Sequence, residues 1–93
     1  MDYSSDLLNR IKDLSSQLTP PVEIAALLDI DEKVLLDDIN TIGHPVRMAY
    51  IKGYSETAVR MRKQNIELSD AGSPAADDAC RGYMRRMTRD IDL

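Results

Sequence analysis

The side chains able to do covalent or acid–base chemistry are few in this chain and poorly spaced for it. His44 is the one histidine, and it stands in the breaker segment Gly43-His44-Pro45 with no Cys or His partner at metal-ligand spacing. A turn or capping role suits it better than catalysis. Cys80, the one cysteine, falls on the small-residue side of a helical segment and reads as a packing thiol. A single thiol forms no internal disulfide and fits a reducing compartment. Asp37-Asp38 and Asp77-Asp78 are adjacent pairs, and helix neighbours point about 100° apart, so neither pair converges into an acid/base dyad. The four glycines are isolated, which leaves no loop to cradle a phosphate. Catalysis is not expected, and neither is a metal or a cofactor.

Charge offers a different chemistry, the contact of Arg and Lys with phosphate. The 93 residues carry 12 basic and 16 acidic side chains, a net of −4, so the chain as a whole is not drawn to a polyanion. The signs are unevenly placed. Residues 1–42 hold three basic side chains (Arg10, Lys12, Lys33) against nine acidic, a net of −6. Residues 43–93 hold nine against seven, a net of +2. The candidates for phosphate contact are Lys33, Arg47, Lys52 and the cluster Arg60, Arg62, Lys63, joined by Arg10 and Lys12. More positive charge gathers at Arg81, Arg85, Arg86 and Arg89. The plainer alternative is a set of solvated helix faces. The acidic and basic halves are also suited to attract each other between subunits.

Length and pattern limit what can position these groups. The chain suits one small domain, or a short module with an appended helical element. No apolar run approaches the ~18–20 residues of a membrane span. The start, Met1-Asp2-Tyr3-Ser4-Ser5-Asp6, is acidic and lacks the pattern of a signal peptide. The expectation is a soluble cytoplasmic protein with no membrane partner.

The apolar periodicity predicts helices throughout and little support for a strand. From Ser5 to Leu18, Leu7, Ile11, Leu14 and Leu18 form one stripe, with Ser4 or Ser5 as N-cap. Thr19-Pro20-Pro21 ends that helix, and Thr19 is available to cap the next. A second helix, about Pro21 to Leu28, buries Ile24, Leu27 and Leu28. After the turn Asp29-Ile30-Asp31, a third helix, about Glu32 to Thr41, presents Leu35, Leu36, Ile39 and Ile42. A fourth, about Val46 to Ser69, carries the stripe Val46, Ala49/Tyr50, Gly53/Tyr54, Thr57/Ala58, Met61 and Leu68, widened by Ile51 and Ile66. Gly53 weakens it by roughly 1 kcal/mol against alanine, which implies close approach of another backbone or a bend. Gly72, Ser73 and Pro74 stop one helix and start another, which runs to about Asp90 with Ala76, Ala79/Cys80, Tyr83, Met84, Met87 and Ile91 on one side. So short a loop folds the last two helices into an antiparallel hairpin.

The second quarter has the layout of a helix-turn-helix. Ala25 is the small residue where the two helices cross, Asp29 takes the left-handed turn position, Ile30 is apolar, Asp31 caps the second helix and Leu35 points inward. The pattern departs at Asp38, where an apolar residue is due and arrives one later at Ile39. The exposed candidates on the second helix are Glu32, Lys33, Asp37 and Asp38. Carboxylates are repelled by phosphate, and only cytosine N4 offers them a base-edge donor. Phosphate contacts from basic residues elsewhere must then supply most of any affinity for DNA.

Further motifs follow. Pro45-Val46-Arg47-Met48-Ala49-Tyr50-Ile51-Lys52-Gly53 leads to Ala58-Val59-Arg60-Met61-Arg62-Lys63, then Leu68-Ser69-Asp70-Ala71-Gly72-Ser73-Pro74-Ala75-Ala76 and Tyr83-Met84. Over about residues 20–88 this resembles the phage small terminase subunits and related prophage or mobile-element proteins. In those a helix-turn-helix precedes an A-Y-x-x-G helix, a G-x-P-x-A turn and a final helix. The resemblance implies a non-enzymatic, ring-forming subunit that recognises phage DNA and hands it to an ATP-driven motor, the large terminase subunit. It implies a DNA-binding module from Ala25 to Ile39 and an oligomerisation and partner surface on the 46–91 hairpin.

The expected architecture is thus all-α. A helix-turn-helix-like three-helix module over 1–42 is followed by a long antiparallel hairpin over 46–93, as two parts or one continuous domain. The leading functional expectation is a DNA-binding adaptor of phage or mobile-element type. It self-associates through Tyr50, Tyr54, Met61, Tyr83 and Met87, with the large terminase subunit or another phage protein as a further partner. The alternative is a helical protein–protein interaction module that keeps the scaffold and binds no nucleic acid.

Overall fold

Local signals set the helix starts. In the computed structural model, which describes residues 1–91, α1 (Ser5–Ser16) begins where Ser4 Oγ accepts the Leu7 amide at 3.1 Å. Asp31 does the same for α3 (Glu32–Ile39), accepting from the Val34 amide at 3.0 Å. Helix α2 (Pro21–Leu27) departs from expectation. Its N-cap is Pro20, with no side-chain hydrogen bond, and Thr19 does not cap it. Proline at the first helical position needs little help there, because its fixed φ already matches the helix. Helices α4 (Pro45–Asp70) and α5 (Pro74–Ile91) complete the described chain, which contains no strand.

Three helix ends close the same way. The chain turns through the left-handed region at Leu18 (φ 62°), Asp29 (φ 55°) and Gly72 (φ 96°). The next amide reaches back across the last turn, Thr19 to the Leu14 carbonyl, Ile30 to Ala25 and Ser73 to Leu68, at 2.9–3.1 Å. Asp29 and Gly72 were legible as such positions. Leu18 was not, since a leucine there costs roughly 1–2 kcal/mol relative to the right-handed region. The bend points its side chain outward rather than extending the α1 stripe.

The chain divides into two compact units, Met1–Thr57 and Ala58–Leu93. The division lies inside α4, not at Gly43-Pro45, because the first half of that helix closes the core of α1–α3. Ile11, Ile24, Ala25, Ile30, Leu35, Ile39 and Val46 are buried together, with Tyr3, Leu7, Leu14, Leu28 and Tyr50 packed around them. At Gly53 a side chain would collide with the Lys12 carbonyl and Ser15 Oγ, so glycine is what lets α4 lie against α1. The Thr57 hydroxyl donates to the Ser16 carbonyl, and Lys12 Nζ lies 3.5 Å from Glu56. Ile42, expected in this core, is 90% exposed because α3 ends at Ile39 and the following turn carries it outward. Leu27, on the outer side of the last turn of α2, is exposed too.

In the second unit α5 starts at Ser73, whose Oγ accepts the Ala76 amide at 3.3 Å. The pairs Ser69–Asp77 (3.2 Å) and Asn65–Tyr83 (2.7 Å) set α5 antiparallel to the end of α4. The seam is built of small and polar groups. Met61 and Leu68, expected on the packing stripe, are exposed, and Ala76 is the one buried residue among those described.

Candidate nucleic-acid interface and assembly surface

Five residues of the α2–turn–α3 segment take the local states that the sequence predicts for them. Ala25 is buried at the crossing, Asp29 is left-handed, Ile30 is buried, Asp31 caps α3 and Leu35 is fully enclosed. The irregularity at Asp38 also finds its reason. Its carboxylate is not on the outer face: it accepts the Tyr3 hydroxyl at 2.8 Å, with His44 Nε2 and the N-terminal amine each 3.8 Å away. Burial and then this bond push the Tyr3 phenol well above its ordinary value. The rings of Tyr3 and His44 meet edge to face at 5.6 Å. His44 Nδ1 accepts the Val46 amide at 3.1 Å, so the histidine starts α4.

Of the four candidates on α3, Glu32, Lys33 and Asp37 remain outward. Lys33 Nζ holds Asp37 at 2.9 Å, and that hydrogen bond raises its pKa. Arg47 is half-buried and donates from Nη1 to the Ile39 carbonyl at 2.8 Å, where a cation also answers the C-terminal dipole of α3. Lys52 stays exposed beside Lys12, Met48 and Ile51 on a shallow groove between α1 and α4. The Arg60, Arg62, Lys63 cluster is split. Arg60 and Lys63, three apart, share an exposed helix face, whereas Arg62 turns to α5 and lies 5.9 Å over the Tyr83 ring.

The five residues expected at an assembly surface divide too. Tyr50 packs against the core of the first unit, and burial, then Tyr54, raises its phenol pKa. Tyr83 is half-buried and accepts from Asn65. Tyr54, Met61 and Met87 remain exposed. A groove of about 440 Å³ between the end of α4 and α5, floored by Cys80 and Tyr83, was missed from the sequence. Val59 and Ile66 line one side, Met84 and Met87 the other, and all four are more than half exposed. Its signal was present: Val59 and Ile66 are seven apart, and Cys80, Met84, Met87 and Ile91 follow at four, three and four.

Among the described residues no group of three or more His, Cys, Asp or Glu side chains is placed to hold a metal, and no helix is long and apolar enough to cross a membrane. Comparison with protein-family models, curated proteins and solved structures gave no match.

Proposed function

We propose that the protein is a non-enzymatic DNA-binding adaptor of the small-terminase kind that its sequence resembles, self-associating through its C-terminal hairpin. The observation that carries this reading is the α2–turn–α3 segment, with Ala25, Ile30 and Leu35 buried, Asp29 left-handed and Asp31 capping α3, as a helix-turn-helix requires. Base reading by α3 is a minor part of it. Lys33 is bound to Asp37, and Glu32 and Asp37 offer carboxylates to a polyanion. DNA is held chiefly by phosphate contacts from exposed cations such as Lys52, Arg60 and Lys63, while Arg47 and Arg62 are engaged within the chain. Self-association draws on the exposed apolar side chains of the hairpin, and the large terminase subunit is the partner to expect.

A second reading, a protein–protein interaction module on the same scaffold, is favoured by charge. Residues 1–57 carry five basic against ten acidic side chains, a net of −5 on the unit that holds the helix-turn-helix.

Fluorescence anisotropy with a labelled duplex across a salt series decides between them. The adaptor reading expects log Kd to rise linearly with log salt, with Arg60→Ala/Lys63→Ala lowering that slope by about two, whatever the duplex sequence. An absence of binding at about 50 mM salt, where phosphate contacts are strong, contradicts it and favours the second reading.

A further inference from the structure

The hairpin joins an apolar groove to a charge gradient along its own axis. Near the turn stand Glu67, Asp70, Asp77 and Asp78. Arg81 is there too, but its Nε is bound to Asp77 at 3.0 Å, and that bond, helped by Ser69, holds the Asp77 carboxyl below its ordinary value. At the opposite end stand Arg60, Arg62, Lys63, Arg85, Arg86 and Arg89, with Asp90 the one carboxylate among the described residues and Asp92 following it in the sequence. Asp78 and Arg89 are eleven residues apart on one helix, about 16 Å at 1.5 Å per residue, or two Debye lengths at physiological salt. At their extremes the two ends therefore act as patches of opposite sign, which meet at Lys63 and Glu67, four residues apart on α4. Val59, Ile66, Met84 and Met87 open onto solvent between them.

We propose that the groove is filled by the hairpin of a second copy of this chain running antiparallel, so that two hairpins close a four-helix bundle. This rests on the self-association reading above and adds the surface, the partner and the direction. Charge fixes the direction: parallel hairpins set six cations against six, whereas antiparallel ones set each acidic turn against the partner's basic end. A two-fold contact of this kind is self-complementary, so the same groove serves both copies. Met84 and Met87, unbranched and adaptable, suit a surface that must pack closely only once the partner arrives.

The test uses the full chain with Cys80→Ala, so that one introduced thiol carries a nitroxide. Ala71→Cys places the label at the turn and Thr88→Cys at the basic end, and electron–electron dipolar spectroscopy reads distances between copies. Light scattering is expected to give twice the 10.5 kDa chain mass. Two Ala71→Cys copies should give a long separation, on the order of the ~27 Å span of α5. An equal mixture of the two labelled chains should add a much shorter one. Met84→Ser/Met87→Ser should shift dimerisation to at least tenfold higher concentration. A short distance between two Ala71→Cys labels overturns the antiparallel order while leaving self-association in place. A dimer unaffected by the Met84/Met87 change overturns the groove as the contact. A monomer at all concentrations, with Cys80 intact as well as replaced, overturns self-association itself.

Discussion

The two units of the chain are helical throughout, yet they satisfy their apolar groups in different ways. In Met1–Thr57 the long aliphatic side chains point at one another: Ile11, Ile24, Leu35 and Val46 are fully enclosed, and polar side chains cap the helix ends around them. In the unit from Ala58 onward the seam between helices is Asn65, Ser69, Ala76 and Tyr83, while Val59, Ile66, Met84 and Met87 face solvent. Helix content alone therefore says little about where stability resides. Below ~40 residues a unit usually needs a metal, a disulfide or a partner, and this one has neither a second cysteine nor a candidate metal cluster among the described residues. Its apolar surface fits a fold completed by association.

Leu35→Ala strikes the comparison hardest. It empties an enclosed site at the centre of the first unit and is expected to cost about 2–5 kcal/mol in denaturant titration. An equivalent truncation at Met87, two-thirds exposed in the single chain, empties no enclosed site and should leave the unfolding of Met1–Thr57 unchanged, weakening only association. Equal losses from the two changes would erase the contrast between the units.

Gly53→Ala comes next. Alanine favours a helix by roughly 1 kcal/mol, but here its methyl would overlap the Lys12 backbone carbonyl and Ser15 Oγ, which puts the overpacking cost at the upper end, about 3 kcal/mol or more. The expected net result is a lower melting temperature for the first unit, while a gain would mean that α4 does not lie so close to α1.

Tyr3→Phe is the smallest of the three, about 1–2 kcal/mol for a hydrogen bond to a carboxylate. It also carries a pH signature. The phenol pKa is raised by folding, so its contribution is complete below the unfolded value of about 10 and is lost as pH rises through the higher folded value. Wild type should lose stability in alkali more steeply than Tyr3→Phe. Parallel profiles would detach Tyr3 from Asp38.

The helices, their caps and the left-handed turn at Asp29 were readable because each depends on neighbours within a few residues. Gly53 announced a close approach for the same reason, although Lys12 and Ser15 as its partners did not. What stayed hidden depends on distant contacts. Ile42 matched the apolar period of α3, but nothing local showed that the helix stops at Ile39. Arg62 looked equivalent to Arg60 and Lys63 until Tyr83 was placed beneath it. Asp38 looked like a surface carboxylate on a recognition helix, and only the return of the N-terminal segment to α3 brings Tyr3 to it. Met61 and Leu68 filled an expected stripe, while Asn65 and Ser69 made the seam, since period alone does not say which face a short hairpin buries.

Amide hydrogen exchange on the full chain across a dilution series tests most directly whether the second unit is completed by association. Residues 58–91 are expected to lose protection together as the protein is diluted, while the helices of residues 5–57 keep theirs. Protection of residues 58–91 that does not change from the most concentrated to the most dilute sample would contradict completion by association.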